Sequence, residues 1–278
     1  WEMVRAERLP STDYLETVRR WAPQESDRSM VDAIISRAGV AQRRYLPEPV
    51  KVETGRAMTR AAMGAMRTVS DADLKLTWAR AAVTFAVDPD DIEELLGLVD
   101  GTWSVAGLEP DQLLRWSLAI KAAAYQLPGA AERVEDERRR DPSDRGQRAA
   151  IRAQASQPSV ATKREAWQRI NGPGYGSDYL TRAAIAGFQW PHQRALTAPY
   201  RDDLYARLPE VYRTRDHAYA ESYLRLLVPD LWAEPAEAAR IRDVAAGLDG
   251  RQDLLRRHLL EVADDMERDI RVRALAAG

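Results

Sequence analysis

The chain predicts an all-α fold: an α-α superhelix of stacked antiparallel helix pairs, curved with a concave face. Three observations predict it. Nearly every segment carries apolar residues at helical spacing. Nearly every boundary between segments carries helix punctuation. No stretch alternates apolar and polar residues as a half-buried strand would.

The segment DPDDIEELLGLVDG shows the pattern in full. Asp88 can cap, Pro89 suits the first helical position, and Asp90 and Asp91 favour the positive end of the helix dipole. Ile92, Leu95, Leu96 and Val99 then form one stripe, and Gly101 stops the helix. LEPDQLLRWSLAIKAAAYQ repeats the phrase, with Leu113, Trp116 and Ile120 expected on one face. SVATKREAWQRI carries Ala166, Trp167 and Ile170, and GSDYLTRAAIAGFQ starts at a Ser177 or Asp178 cap and carries Leu180, Ala184 and Phe188. AEPAEAARIRDVAAGLDG opens at Pro235 and closes around Gly250. The last and longest segment has a stripe of Leu255, Leu259, Val262, Met266 and Ile270, with Asp264–Arg268 and Glu267–Arg271 in the favoured order for i,i+4 pairing. YLPEPVKVETG, from Tyr45 to Gly55, comes nearest to a strand, and its two prolines argue for a loop.

About ten to a dozen helices joined by short Pro, Gly and Asp elbows cannot each bury a stripe alone, so neighbours must cover it. A degenerate HEAT- or armadillo-like array satisfies that demand. An irregular helical bundle is the alternative.

Composition narrows the function. The 278 residues include no cysteine, which excludes disulfides, thiolate metal sites and cysteine nucleophiles and suits a cytoplasmic protein. A formal net charge of −2 lacks the basic excess of a nucleic-acid binder, and no apolar run approaches a membrane span. The chain starts at Trp1 and not at Met, so it is expected to be a fragment of a longer protein.

Reactive constellations are absent from the sequence. There is no HExxH, GxSxG or P-loop lysine motif. The histidines, His192, His217 and His258, have no partner at metal-ligand spacing: His258 reads as half-buried beside a helical stripe, and His217 as exposed at a helix start. NGPGYGSD, from Asn171 to Asp178, could present amides to a phosphate, but with no preceding strand it reads as an elbow. The mixed charges from Glu132 to Arg148 read as a solvated helix face, and Trp78, Trp116 and Trp167 as packing anchors. At Trp190-Pro191-His192 the proline ends one helix and can begin the next. This makes an elbow with the Trp ring tucked in and the His facing solvent.

The words IAGFQWPHQRALTAPYRDDLYARLPEVY, WEMVR…DYL, DADLKLTWARAAV and LLRRHLLEVADDMERDIRVRALAA together resemble the C-terminal helical domain of the actinobacterial aminopeptidase N family of M1 zinc metallopeptidases, over the whole chain. The family's HExxH, GAMEN and catalytic Tyr signatures are missing; Gly64–Met66 reads GAM but continues as Arg67. The resemblance therefore implies no catalytic or metal residue here and no cofactor in this chain, with zinc held by the parent's catalytic domain. The resemblance further implies that residues 1–278 are a single C-terminal helical domain and that the parent removes N-terminal amino acids from peptides. It implies that this domain closes the active-site chamber, controls peptide access, and meets a peptide's C-terminal carboxylate with basic residues. Arg201, Arg182 and Arg194 are the positions implied, each with a surface salt bridge as the competing role, Arg201 to Asp202, Asp203 or a neighbour. The partners implied are the parent's own catalytic domain and a peptide substrate, in a monomer that engages neither nucleic acid nor membrane. The alternative is a free-standing helical-repeat module that binds a protein or peptide in its concave face; a small-molecule enzyme with an unrecognised site is a third.

Overall fold

The computed structural model describes residues 1–228, 232–250 and 252–277, and among them there is no strand. The helices are α1 (Glu2–Arg5), α2 (Ser11–Trp21), α3 (Arg28–Val40), α4 (Glu48–Thr68), α5 (Ala72–Phe85), α6 (Pro89–Asp100), α7 (Gln112–Ala124) and α8 (Ala130–Arg140). They continue as α9 (Asp144–Ser156), α10 (Val160–Ile170), α11 (Asp178–Phe188), α12 (Arg194–Thr197), α13 (Arg201–Thr214), α14 (His217–Leu227), α15 (Pro235–Ala246) and α16 (Asp253–Ala276). The expected all-α class holds, built from helices packed on near neighbours in sequence, notably α4 on α5 and α9 on α11.

The expected caps at Asp88 and Ser177 form, and Asp27, Asp71, Ser143, Ser159 and Asp216 cap in the same way. Each accepts a backbone N–H in the first turn of the following helix, which satisfies donors that no intrahelical carbonyl can reach. Gly101 ends α6 at φ 74°, a left-handed conformation that costs a glycine little.

The chain divides into two compact units. One comprises Trp1–Ala122 with Arg271–Gly278. Its core is lined by Met58, Met66, Trp78, Phe85, Ile92, Leu95, Leu114 and Trp116. Lys121 is buried in it, with Nζ donating to the carbonyls of Val83 and Ala86 at the end of α5. The Gln42 amide donates to Phe85 O at 2.9 Å.

The other unit is Ala123–Ile270. Its core gathers Trp167, Ile185, Phe188, Tyr205, Tyr223, Trp232 and Leu259. Gly187 lets α11 press against α9: a Cβ there would lie 2.3 Å from Arg152 O. Lys163, fully buried, bridges the ends of the same two helices, donating to Ala155 O at 2.8 Å and Phe188 O at 2.9 Å. Burial pushes both lysine ammonium groups down to about 7.

Several expectations are corrected. Leu113 is 45% exposed and Leu114 faces the core in its place, with Asp111 capping the Leu114 N–H, while Trp116 and Ile120 are buried as expected. The Tyr45–Gly55 stretch is not a loop: only Leu46 and Pro47 are extended, and Pro49 sits in the first turn of α4. Among the described residues Asp264 does not pair with Arg268: Arg242 reaches from α15 to both Asp264 and Glu267, Arg268 pairs with Asp265, and Arg271 pairs with Glu7. In the Glu132–Arg148 charge run, Glu137 and Asp141 are buried.

Two predictions follow from this packing. Leu114→Ala costs about 3 kcal/mol by denaturant unfolding, and Leu113→Ala less than about 0.5 kcal/mol. Lys163→Met leaves the carbonyls of Ala155 and Phe188 without their donor and costs about 3 kcal/mol. With a folded-state value near 7 against an ordinary 10.5, Lys163 binds fewer protons folded than unfolded between those limits. Its contribution is thus present above pH 10.5 and lost as the pH falls towards 7. The stability difference between wild type and Lys163→Met accordingly widens from pH 7 to 10.

Candidate functional site

Two of the three basic positions converge on the start of α15. Arg201, the first residue of α13, follows the tight turn at Ala198–Tyr200. Its Nη1 donates to Glu237 Oε2 at 3.0 Å, and its guanidinium lies 4.5 Å from the ring centre of the buried Trp232. Glu237 is itself buried in the first turn of α15, where the helix dipole favours a carboxylate. Its Oε1 accepts from Tyr205 Oη at 2.5 Å. Burial first, and then the Glu237 carboxylate, push the Tyr205 phenol well above its ordinary value. Arg240 covers the Tyr205 ring at 4.8 Å and pairs with Asp202 at 2.5 Å. Three residues before Glu237, Glu234 takes the Arg194 guanidinium at 2.5 Å.

Arg201 thus reaches Glu237 and neither adjacent acid. Asp202 goes to Arg240, and Asp203 accepts from Arg207 at 2.8 Å and from Trp167 Nε1 at 2.7 Å. Burial alone would raise the Asp203 carboxyl, but those two donors outweigh it and hold it below the usual range.

Arg182 belongs to a different cluster. It sits on α11 with its guanidinium 5.3 Å from the Tyr179 ring centre. Its field, with that of Arg215, reaches Asp216 and Tyr219, and among the described residues it forms no ion pair with a carboxylate. The structure therefore brings Arg194 and Arg201 together and leaves Arg182 apart, half-buried and with its Nε buried without a hydrogen-bond acceptor.

The elbow forms where expected. α11 ends at Phe188, Trp190 is extended, and Pro191 opens a short turn through Gln193. His192 is exposed, yet its ring lies 4.1 Å from Tyr125 and its Nε2 is 2.8 Å from Ala124 O. Trp190 meets Tyr125 edge to face at 6.2 Å. Gln193, 1% exposed, donates from one amide to both Ala124 O and Ser156 O at 2.8 Å. The elbow is a structural joint built on helix-end carbonyls. The His258 ring is buried with Nδ1 2.8 Å from Tyr212 Oη, and His217 is exposed at the start of α14.

Sequence reasoning missed Lys163, Gln193 and Glu237. Lys163 had a signal: it stands three, four and seven residues before Ala166, Trp167 and Ile170, on their stripe. Gln193 and Glu237 had none, because their partners lie 32 or more residues away.

Among the described residues no group of three or more His, Cys, Asp or Glu side chains is placed to hold a metal ion, and no helix is long and apolar enough to cross a membrane.

Comparison with known proteins gives two matches. The family described as "ERAP1-like C-terminal domain" matches residues 1–268. Aminopeptidase N of Streptomyces lividans is 30% identical over 278 aligned residues, covering 95% of this chain and 32% of that protein. The chain thus spans about a third of the length of that relative.

Arg201→Ala should cost about 3 kcal/mol by denaturant unfolding, because it strips a buried carboxylate of its cation. Arg194→Ala, which opens a solvent-facing pair, should cost less than about 1 kcal/mol.

Proposed function

Because the chain belongs to the ERAP1-like C-terminal domain family, we propose that it is the non-catalytic C-terminal domain of an M1 zinc aminopeptidase. In this reading it closes the active-site chamber, controls peptide access, and helps position the substrate. The family match over residues 1–268 carries the reading, and similarity to an aminopeptidase N three times its length supports it.

The donors present do not fit a zinc ion. His192 is committed to a carbonyl and a tyrosine ring, His258 to Tyr212, and no three suitable side chains converge among the described residues. The zinc and the hydrolytic groups are assigned to the parent's catalytic domain. The parent works as a cytoplasmic monomer, with that catalytic domain as this chain's partner.

Of the three basic positions, Arg182 has the guanidinium best able to receive a peptide carboxylate bidentately. Arg201 and Arg194 are already engaged by Glu237 and Glu234. They would serve a substrate by exchanging partners, which costs more at Arg201, whose acid is buried.

The 278-residue chain alone should show no turnover of aminoacyl-p-nitroanilide; measurable zinc-dependent turnover would overturn the reading. In the full-length enzyme, Arg182→Ala should raise KM for short peptides about tenfold while leaving kcat/KM for aminoacyl-p-nitroanilide unchanged, since that substrate has no C-terminal carboxylate. Equal effects on both substrates would remove Arg182 from this role.

A further inference from the structure

Arginines of this chain habitually pair with an acid one turn away on their own helix. Arg138 holds Glu135, Arg207 holds Asp203, and Arg225 holds Glu221, each within 3.0 Å. Glu165 and Arg169 on α10 stand in the favoured i,i+4 order for the same bond. They do not make it. Instead, the Arg169 guanidinium lies over the ring of Tyr175, 3.8 Å from its centre. Among the described residues, neither charge has an ion-pair partner.

The two charges line one cleft of about 270 Å³, together with Gln154, Gln157, Thr162 and Tyr175. That is smaller than the roughly 300–1,000 Å³ of sites for drug-sized ligands. Both charges act on the Tyr175 phenol: burial raises its pKa, Arg169 opposes that, and Glu165 adds to it. The cleft therefore sets a cation and an anion about its mouth, held apart by a cation–π contact. The Gln154 and Gln157 amides make no side-chain hydrogen bond among the described residues, so both have donors and acceptors to offer.

We infer that this cleft binds a free α-amino acid, whose carboxylate takes the Arg169 fork and whose ammonium takes Glu165. A ligand with both charges on one carbon matches two opposite charges one helical turn apart. An internal peptide residue has neither charge, and a peptide terminus has only one. Arg169 offers planar bidentate donors to the carboxylate. The amides are left for the side chain or for bridging water, and the Thr162 hydroxyl, which accepts from Ser159 Oγ at 2.8 Å, keeps its own proton to donate. The site stands on its own side chains whether or not the aminopeptidase reading holds; if it holds, the ligand is that reaction's product.

The test is calorimetric titration of the 278-residue chain with leucine, N-acetyl-leucine and leucine amide. Leucine is expected to bind saturably and at least tenfold more tightly than either blocked analogue. Arg169→Gln should abolish the preference over leucine amide, and Glu165→Gln the preference over N-acetyl-leucine, with unfolding midpoints unchanged. Amide chemical shifts should move at residues 154–175. No saturable binding of leucine, equal binding of the three compounds, or shifts confined elsewhere would each overturn the inference. None of these outcomes depends on hydrolytic activity, so failure here and failure of the aminopeptidase reading are separable.

Discussion

The structure depends on how buried helix ends satisfy their carbonyls. An α-helix leaves its last four C=O groups without intrahelical donors, and in a fold of packed helices many of those ends lie away from water. Here side chains from other helices supply the donors. Lys121 and Gln42 serve the end of α5, Lys163 the ends of α9 and α11 together, Gln193 those of α7 and α9, and Gln189 that of α14. A buried ammonium is costly in isolation, but at a helix C-terminus it meets the negative end of the dipole and two or three carbonyls at once. Each such donor fixes a distance and a direction between two backbones, which an apolar contact does not.

Electrostatics on the outside work differently. Many arginines hold an acid within one turn, and pairs of that kind contribute little stability. A smaller set ties elements distant in sequence. Arg201–Glu237 joins α13 to α15, Arg242 joins α15 to α16, and Arg271–Glu7 joins the last helix to the N-terminal segment. Glu237 is the most demanding of these, since its carboxylate is buried and served by both Arg201 and Tyr205.

These features suit a domain whose role is to hold its shape beside chemistry carried out elsewhere. The buried polar groups near Trp190, Lys163 and Glu237 are spent on joints between helices. The groups left open, Arg182 above Tyr179 and the Glu165–Arg169 pair beside Tyr175, lie at the surface, where ligands can reach them.

The sequence by itself determined the helices, their caps and most of their buried faces, because these depend on residues within one or two turns. Asp88 and Ser177 cap as read, Trp78, Trp116 and Trp167 are buried as read, and Pro191 makes the elbow. Errors came where two local rules competed. The prolines near Tyr45 start a helix because Pro is tolerated in a first turn, and at the start of α7 it is Leu114, not Leu113, that is buried. Tertiary structure alone decided which opposite charges meet. Asp264 bonds Arg242 and not Arg268, Arg201 bonds Glu237 and not Asp202, and Arg169 leaves Glu165 for a tyrosine ring. Long charged side chains have many partners within reach, and only the packed backbones around them settle which one is closest.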